Sequence, residues 1–153
     1  MLIGLDFDNT IICYDELFHK VALGKGLIPA NLPVEKRTIR DYLRNKGRED
    51  KWTLIQGEVY GERILEAVPF EGVFDALKIL QNNGARLVLV SHKTRTPFMG
   101  KQLDLQQAAR DWLTEQRVFD TQGLDWKINQ VFFELTKEEK VQRISELKCT
   151  HYV

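Results

Sequence analysis

Cysteine is scarce in this 153-residue chain: Cys13 and Cys149 stand near opposite ends with no spacing that suggests zinc. A reduced pair is the plain expectation, and a disulfide between them has no support in the sequence. Charge of one sign is also missing, because 22 Lys plus Arg balance 22 Asp plus Glu, so nothing global asks for nucleic acid or an anionic membrane. Long apolar runs are absent, and none approaches the ~20 residues of a membrane helix. The N-terminus has no basic leader and meets Asp6 and Asp8 before it can build the ~7–15-residue core of a signal peptide. The resulting expectation is a cytoplasmic protein. No polar low-complexity tract occurs, and with 43% hydrophobic and 29% charged residues the chain reads as one globular domain. At this length about two-thirds of the surface exposed in the unfolded chain can be buried.

What is present is an alternation of apolar runs and helical patterns. Met1 to Asp6 reads as a buried parallel strand because Leu2, Ile3 and Leu5 form a near-continuous apolar run. From about Asp15 to Glu66 the chain is polar, charged and broken by Gly24, Gly26, Pro29 and Pro33, which reads as a small helical insertion. Its candidate inward faces are Leu17, Val21 and Ala22; Ile39, Tyr42 and Leu43; and Trp52, Ile55, Val59, Ile64 and Leu65, with Gly57 and Gly61 weakening the last helix. After Pro69 and Gly72, the residues Val73, Ala76, Leu77 and Leu80 mark a helix closed by Asn82-Asn83-Gly84.

Leu87-Val88-Leu89-Val90 follows as a second buried strand, completing a crossover unit. A helix over Leu105 to Glu115 with Ala108, Ala109, Trp112 and Leu113 inward, and a strand over Gln130 to Leu135, come next. Thr136-Lys137-Glu138-Glu139 is a capping box that opens a helix with Val141, Ile144 and Leu147 inward, and Cys149 to Val153 opens another strand. The expected fold class is α/β: a three-layer, Rossmann-like core with a parallel sheet over residues 1–14 and 70–153, and a helical insertion over 15–69.

Side chains at i and i+2 on a strand share a face, so Asp6 and Asp8 converge beyond the strand's carboxyl end, where ligands bind in open parallel sheets. Close carboxylates repel unless a cation or donors offset them, which points to a hard ion such as Mg²⁺. A plain turn at Asp8-Asn9-Thr10, with the acids capping backbone N–H groups, explains the same residues.

Leu5-Asp6-Phe7-Asp8-Asn9-Thr10 resembles the first motif of the haloacid dehalogenase-like superfamily, Asp-x-Asp-x-Thr/Val after an apolar strand. The resemblance implies that Asp6 is a nucleophile forming an aspartyl-phosphate and Asp8 an acid-base group. It also implies Mg²⁺ held by the Asp6 carboxylate and the Asp8 carbonyl. Dehalogenating members lack the second Asp, so its presence implies the phosphoryl-transfer branch. A carboxylate nucleophile splits the displacement in two, and a neighbouring acid-base residue serves both halves.

Ser91, ending an apolar strand, resembles the second motif and would donate to the phosphoryl oxygens; as a residue type it equally suits a cap or turn. Lys137 and Lys140 both suit the third motif, with Lys137 preferred because it directly follows the cap, while two solvated lysines are the bland alternative. Asn9, Thr10 and His92 complete the expected phosphate-binding set, with His92 and Lys93 near the pocket mouth. The fourth motif, an acidic pair after the next strand, has no match, for Cys149 to Val153 stands in the place of that strand. A longer form with acids beyond Val153 is one expectation, and a weakly held metal is the other.

The insertion occupies the position of the family's helical cap and carries more Lys and Arg than Asp and Glu, which suits an anionic substrate or a solvated surface. Histidines His19, His92 and His151 read first as structural or surface groups, and Trp52, Trp112 and Trp126 as packing rather than base-stacking residues. The reading is a Mg²⁺-dependent phosphatase acting on a small phosphorylated metabolite, with neither nucleic acid nor membrane as partner. Its rivals are a phosphotransferase or phosphomutase of the same fold, and a catalytically weakened binding or regulatory module.

Overall fold

The computed structural model describes residues 1–153. Its main sheet has four parallel strands in the order β5-β4-β1-β6, formed by β1 (Leu2–Leu5), β4 (Arg86–His92), β5 (Val131–Glu134) and β6 (His151–Tyr152). The helices α4 (Val73–Asn82), α5 (Leu105–Glu115) and α6 (Lys137–Glu146) join and cover them. Register runs Leu2 to Arg86 through Leu5 to Leu89, and Leu89 to Val131 through His92 to Glu134. The carboxyl ends of β1 and β4 therefore finish side by side.

Alternation divides the sheet between two apolar layers, as the period of two requires. Ile3, Leu5, Leu87, Leu89, Val131 and Phe133 join the large core with Leu77, Trp112 and the insertion, whereas Leu2, Val88 and Val90 pack under Ile144 and Leu147. Gly4 lies on the second face, where an added Cβ would stand 2.8 Å from the Tyr152 ring. The missing side chain lets Tyr152 cross β1 and donate its hydroxyl to the Val90 carbonyl at 2.7 Å.

The α6 capping box forms, with Thr136 accepting from the Glu139 N–H and the Glu139 side chain accepting from the Thr136 N–H. Val141, expected inward, is 65% exposed, because on this side it is Ile144 of α6 and Leu147 just past its end that pack on the thin layer beneath. Leu65 is likewise exposed, falling on the outer side of a single 3₁₀ turn at Ile64–Glu66.

The helical segment contains α1 (Asp15–Gly24), α2 (Lys36–Asn45) and α3 (Glu49–Gly57), which runs directly into a π turn at Glu58–Glu62. A two-residue antiparallel pair, β2 (Ile12–Cys13) with β3 (Val68–Pro69), forms its stem. Gly57 and Gly61 serve close approach: a Cβ on Gly57 would lie 2.6 Å from the Met99 carbonyl, and one on Gly61 would lie 2.8 Å from Leu103. The loop after β4 thus rests directly on α3. Cys13 and Cys149 are free thiols.

Trp112 joins the layers, being fully buried, edge-on to Phe7 at 5.6 Å and bonded through Nε1 to the Ala67 carbonyl at 2.8 Å. Trp52 and Trp126 are also buried. Trp112→Ala is expected to cost ~3–5 kcal/mol, the scale of a large aromatic truncated in a core, read as a lower urea midpoint at unchanged slope. A loss below about 1 kcal/mol would contradict this packing role.

Candidate active site

Four segments meet at the carboxyl edge of the sheet. The end of β1 supplies Asp6 and Asp8, and β6 fixes the main chain there, since the Asp6 N–H donates to the Val153 carbonyl at 2.7 Å. The end of β4 supplies Ser91, His92 and Lys93, the first turn of α6 supplies Lys137 and Lys140, and Tyr14 enters from the start of the insertion.

The Asp6 carboxylate accepts on Oδ1 from Ser91 Oγ at 2.6 Å and from the Phe7 N–H at 2.9 Å, and on Oδ2 from Lys140 Nζ at 2.7 Å. Asp8 accepts on Oδ1 from the Tyr14 hydroxyl at 2.6 Å, and Lys93 Nζ lies 3.1 and 3.2 Å from its two oxygens. Two acids and two ammonium groups therefore pair one to one, through the short geometry of charge-assisted hydrogen bonds. Ser91 and Lys93 are buried, so both donors are held by packing.

Burial works to lower the Lys140 pKa, but hydrogen bonds to Asp6 and Tyr152 and the Asp6 charge outweigh it, and the net shift is upward. Lys140 thus remains cationic across the neutral range. Burial, followed by the charge and hydrogen bond of Asp8, pushes Tyr14 well above the usual phenol value, which keeps it a neutral donor. Burial also raises Tyr60 and lowers Lys36, whose amine lies 5.3 Å from the Tyr60 ring centre and 5.6 Å from that of Phe18.

Of the residues expected from sequence, Asp6, Asp8, Ser91, His92, Lys137 and Lys140 line one open cavity of about 460 Å³. Lys140, and not the preferred Lys137, contacts Asp6; Lys137 is exposed on the cavity wall. Asn9 faces another cavity beside Asp15 and Lys36, and Thr10 lines neither this one nor that. Asn9 has φ 59°, and its N–H bonds the Ile12 carbonyl at 3.0 Å, so the two residues shape the turn rather than offer side chains to a phosphate. His19 bonds the Leu32 carbonyl and His151 is exposed, as structural and surface groups.

Sequence reasoning missed Tyr14 and placed Lys93 only near the mouth. Lys93 had a signal, since Ser91 and Lys93 stand at i and i+2 just as Asp6 and Asp8 do. Tyr14 had none, because its contact with Asp8 depends on the turn that folds residues 9–12 back.

Lysines now supply the cations that offset the two acids, so charge repulsion alone no longer requires a metal. No group of three or more His, Cys, Asp or Glu stands at metal-holding distance. The donors available are the Asp6 carboxylate and the Asp8 carbonyl, which takes no part in the main-chain hydrogen bonds of its turn. That set fits a Mg²⁺ ion sharing its coordination with water and a substrate phosphate, as this ion commonly does, rather than one enclosed by protein ligands.

The fold and site define an α/β protein with a carboxylate-lysine centre at the carboxyl edge of a parallel sheet. No protein-family model matches the chain, and no curated protein matches it. Among solved structures, a haloacid dehalogenase-like family hydrolase from Xanthomonas campestris is similar over 97% of this chain and 69% of its own, at 12% identity and a TM-score of 0.47. The fold class rests on this chain's own strand order and register. No helix is long and apolar enough to cross a membrane.

Proposed function

We propose that the chain is a phosphohydrolase of the haloacid dehalogenase-like kind, acting on a small phosphate monoester through an aspartyl-phosphate on Asp6. The observation that carries this is Asp6, half-buried and held by Ser91 at 2.6 Å and Lys140 at 2.7 Å, two residues before a second carboxylate.

In this reading a phosphoryl group enters the open cavity and takes over the donors that Ser91 and Lys140 now give to Asp6. Those donors stabilise the charge that grows on the phosphoryl oxygens. An Asp6 oxygen attacks phosphorus as the bond to the alcohol oxygen breaks, and Asp8, having taken up the proton that the monoanion of the ester brings in, passes it to that oxygen. Water then attacks the aspartyl-phosphate, Asp8 takes its proton, and inorganic phosphate leaves with Asp6 restored. Lys93 and Tyr14 hold Asp8 in place through both halves. Mg²⁺, bound at the Asp6 carboxylate and Asp8 carbonyl, would supply charge neutralisation at the phosphate.

Phosphate release from acetyl phosphate and a panel of monoesters, with and without Mg²⁺, tests the reading. Free inorganic phosphate is expected. Transfer of phosphate to a second alcohol, or its isomerisation, would move the assignment to a transferase or mutase, and no turnover of any ester or acyl phosphate would overturn it.

A further inference from the structure

Beside the open cavity lies a second of about 230 Å³, between α3, the π turn and the loop that follows β4. Asp8 and His92 line both, so a phosphate monoester bridging them would place its phosphoryl group at Asp6 and its alcohol half in the second cavity.

The lining of this cavity is selective. Asp8 and Lys93 bring opposite charges that already satisfy each other at 3.1 Å. Thr53, Gln56 and Thr94 offer two hydroxyls and an amide, while Tyr60 and Phe98 contribute aromatic rings. Phe98 is 86% exposed, an unusual state for a large apolar side chain and one that a ligand ring would cover. The volume lies below the ~300–1,000 Å³ of drug-sized pockets, so it suits one small ring. At one wall Gly57 lets α3 lie close against the Met99 main chain.

We infer that the alcohol half is a single uncharged, hydroxyl-bearing ring of monosaccharide type, with its apolar face against Phe98 and its hydroxyls on Thr53, Gln56 and Thr94. A second phosphate or a carboxylate in the same space would sit beside Asp8 and find Lys93 already committed. The inference rests on the phosphohydrolase reading and names its substrate class.

The test compares kcat/KM for monosaccharide monophosphates, the matching bisphosphates, phosphorylated hydroxy acids and nucleoside monophosphates, with acetyl phosphate as the reference that has no ring. The sugar monophosphates are expected to exceed the doubly charged and nucleoside esters by about tenfold or more, the scale on which one pocket discriminates. Phe98→Ala is expected to narrow the advantage of the best sugar ester over acetyl phosphate by about tenfold. Acetyl phosphate hydrolysis without a preference for sugar monophosphates, or a Phe98→Ala variant with an unchanged ratio, would overturn the inference while leaving the hydrolase reading intact. Absence of acetyl phosphate and ester hydrolysis would overturn both.

Discussion

Asp6→Asn is expected to give a folded protein that turns over its phosphate ester ~10³-fold or more slowly, because an amide cannot form the acyl-phosphate. The substitution also places a neutral group against Lys140, which now bonds Asp6 Oδ2 at 2.7 Å. Phosphate release under saturating substrate is the measurement, with circular dichroism to show that the fold survives. A second signature is intact mass after acid quench, where only the parent protein should carry one added phosphoryl group. Equal turnover by the two proteins would remove Asp6 as nucleophile.

Lys140→Met is expected to lower kcat by ~10²–10³-fold, the range seen when one preorganised donor to a developing oxyanion is removed. Lys137→Met, three residues earlier on the same helix, is expected to change it by no more than a few-fold, because its ammonium makes no hydrogen bond to Asp6. Neither substitution touches the Thr136 and Glu139 cap that starts α6, so both variants should melt close to the parent. The larger loss falling on Lys137→Met would reverse the assignment of these two lysines.

The contrast between Lys137 and Lys140 shows where sequence reasoning ran out. The start of α6 was legible because a capping box is a local device, complete within four residues. Which of two lysines on adjacent sides of one turn faces Asp6 depends on how α6 is rotated over the sheet, a relation spanning 134 residues of chain. Helix α4 was legible from periodicity and strand β4 from a short, branched apolar run, and α5 matches its expected bounds, Leu105 to Glu115. The β2–β3 stem was not, since two-residue strands carry no periodic signal. Gly57 and Gly61 looked like weaknesses in a helix, yet the chain continues through both. What they provide, room for a neighbouring main chain, is visible only when the neighbour is in place. The acid pair was legible as a convergence, but the lysines that balance it, Lys93 and Lys140, come from other elements.

The contact between Gly57 and the Met99 carbonyl has a mechanical consequence. The Pro97 ring and the Met99 carbonyl both stand where a Cβ on Gly57 would lie, so any larger residue at that position would push the loop off the helix and reshape the cavity between them.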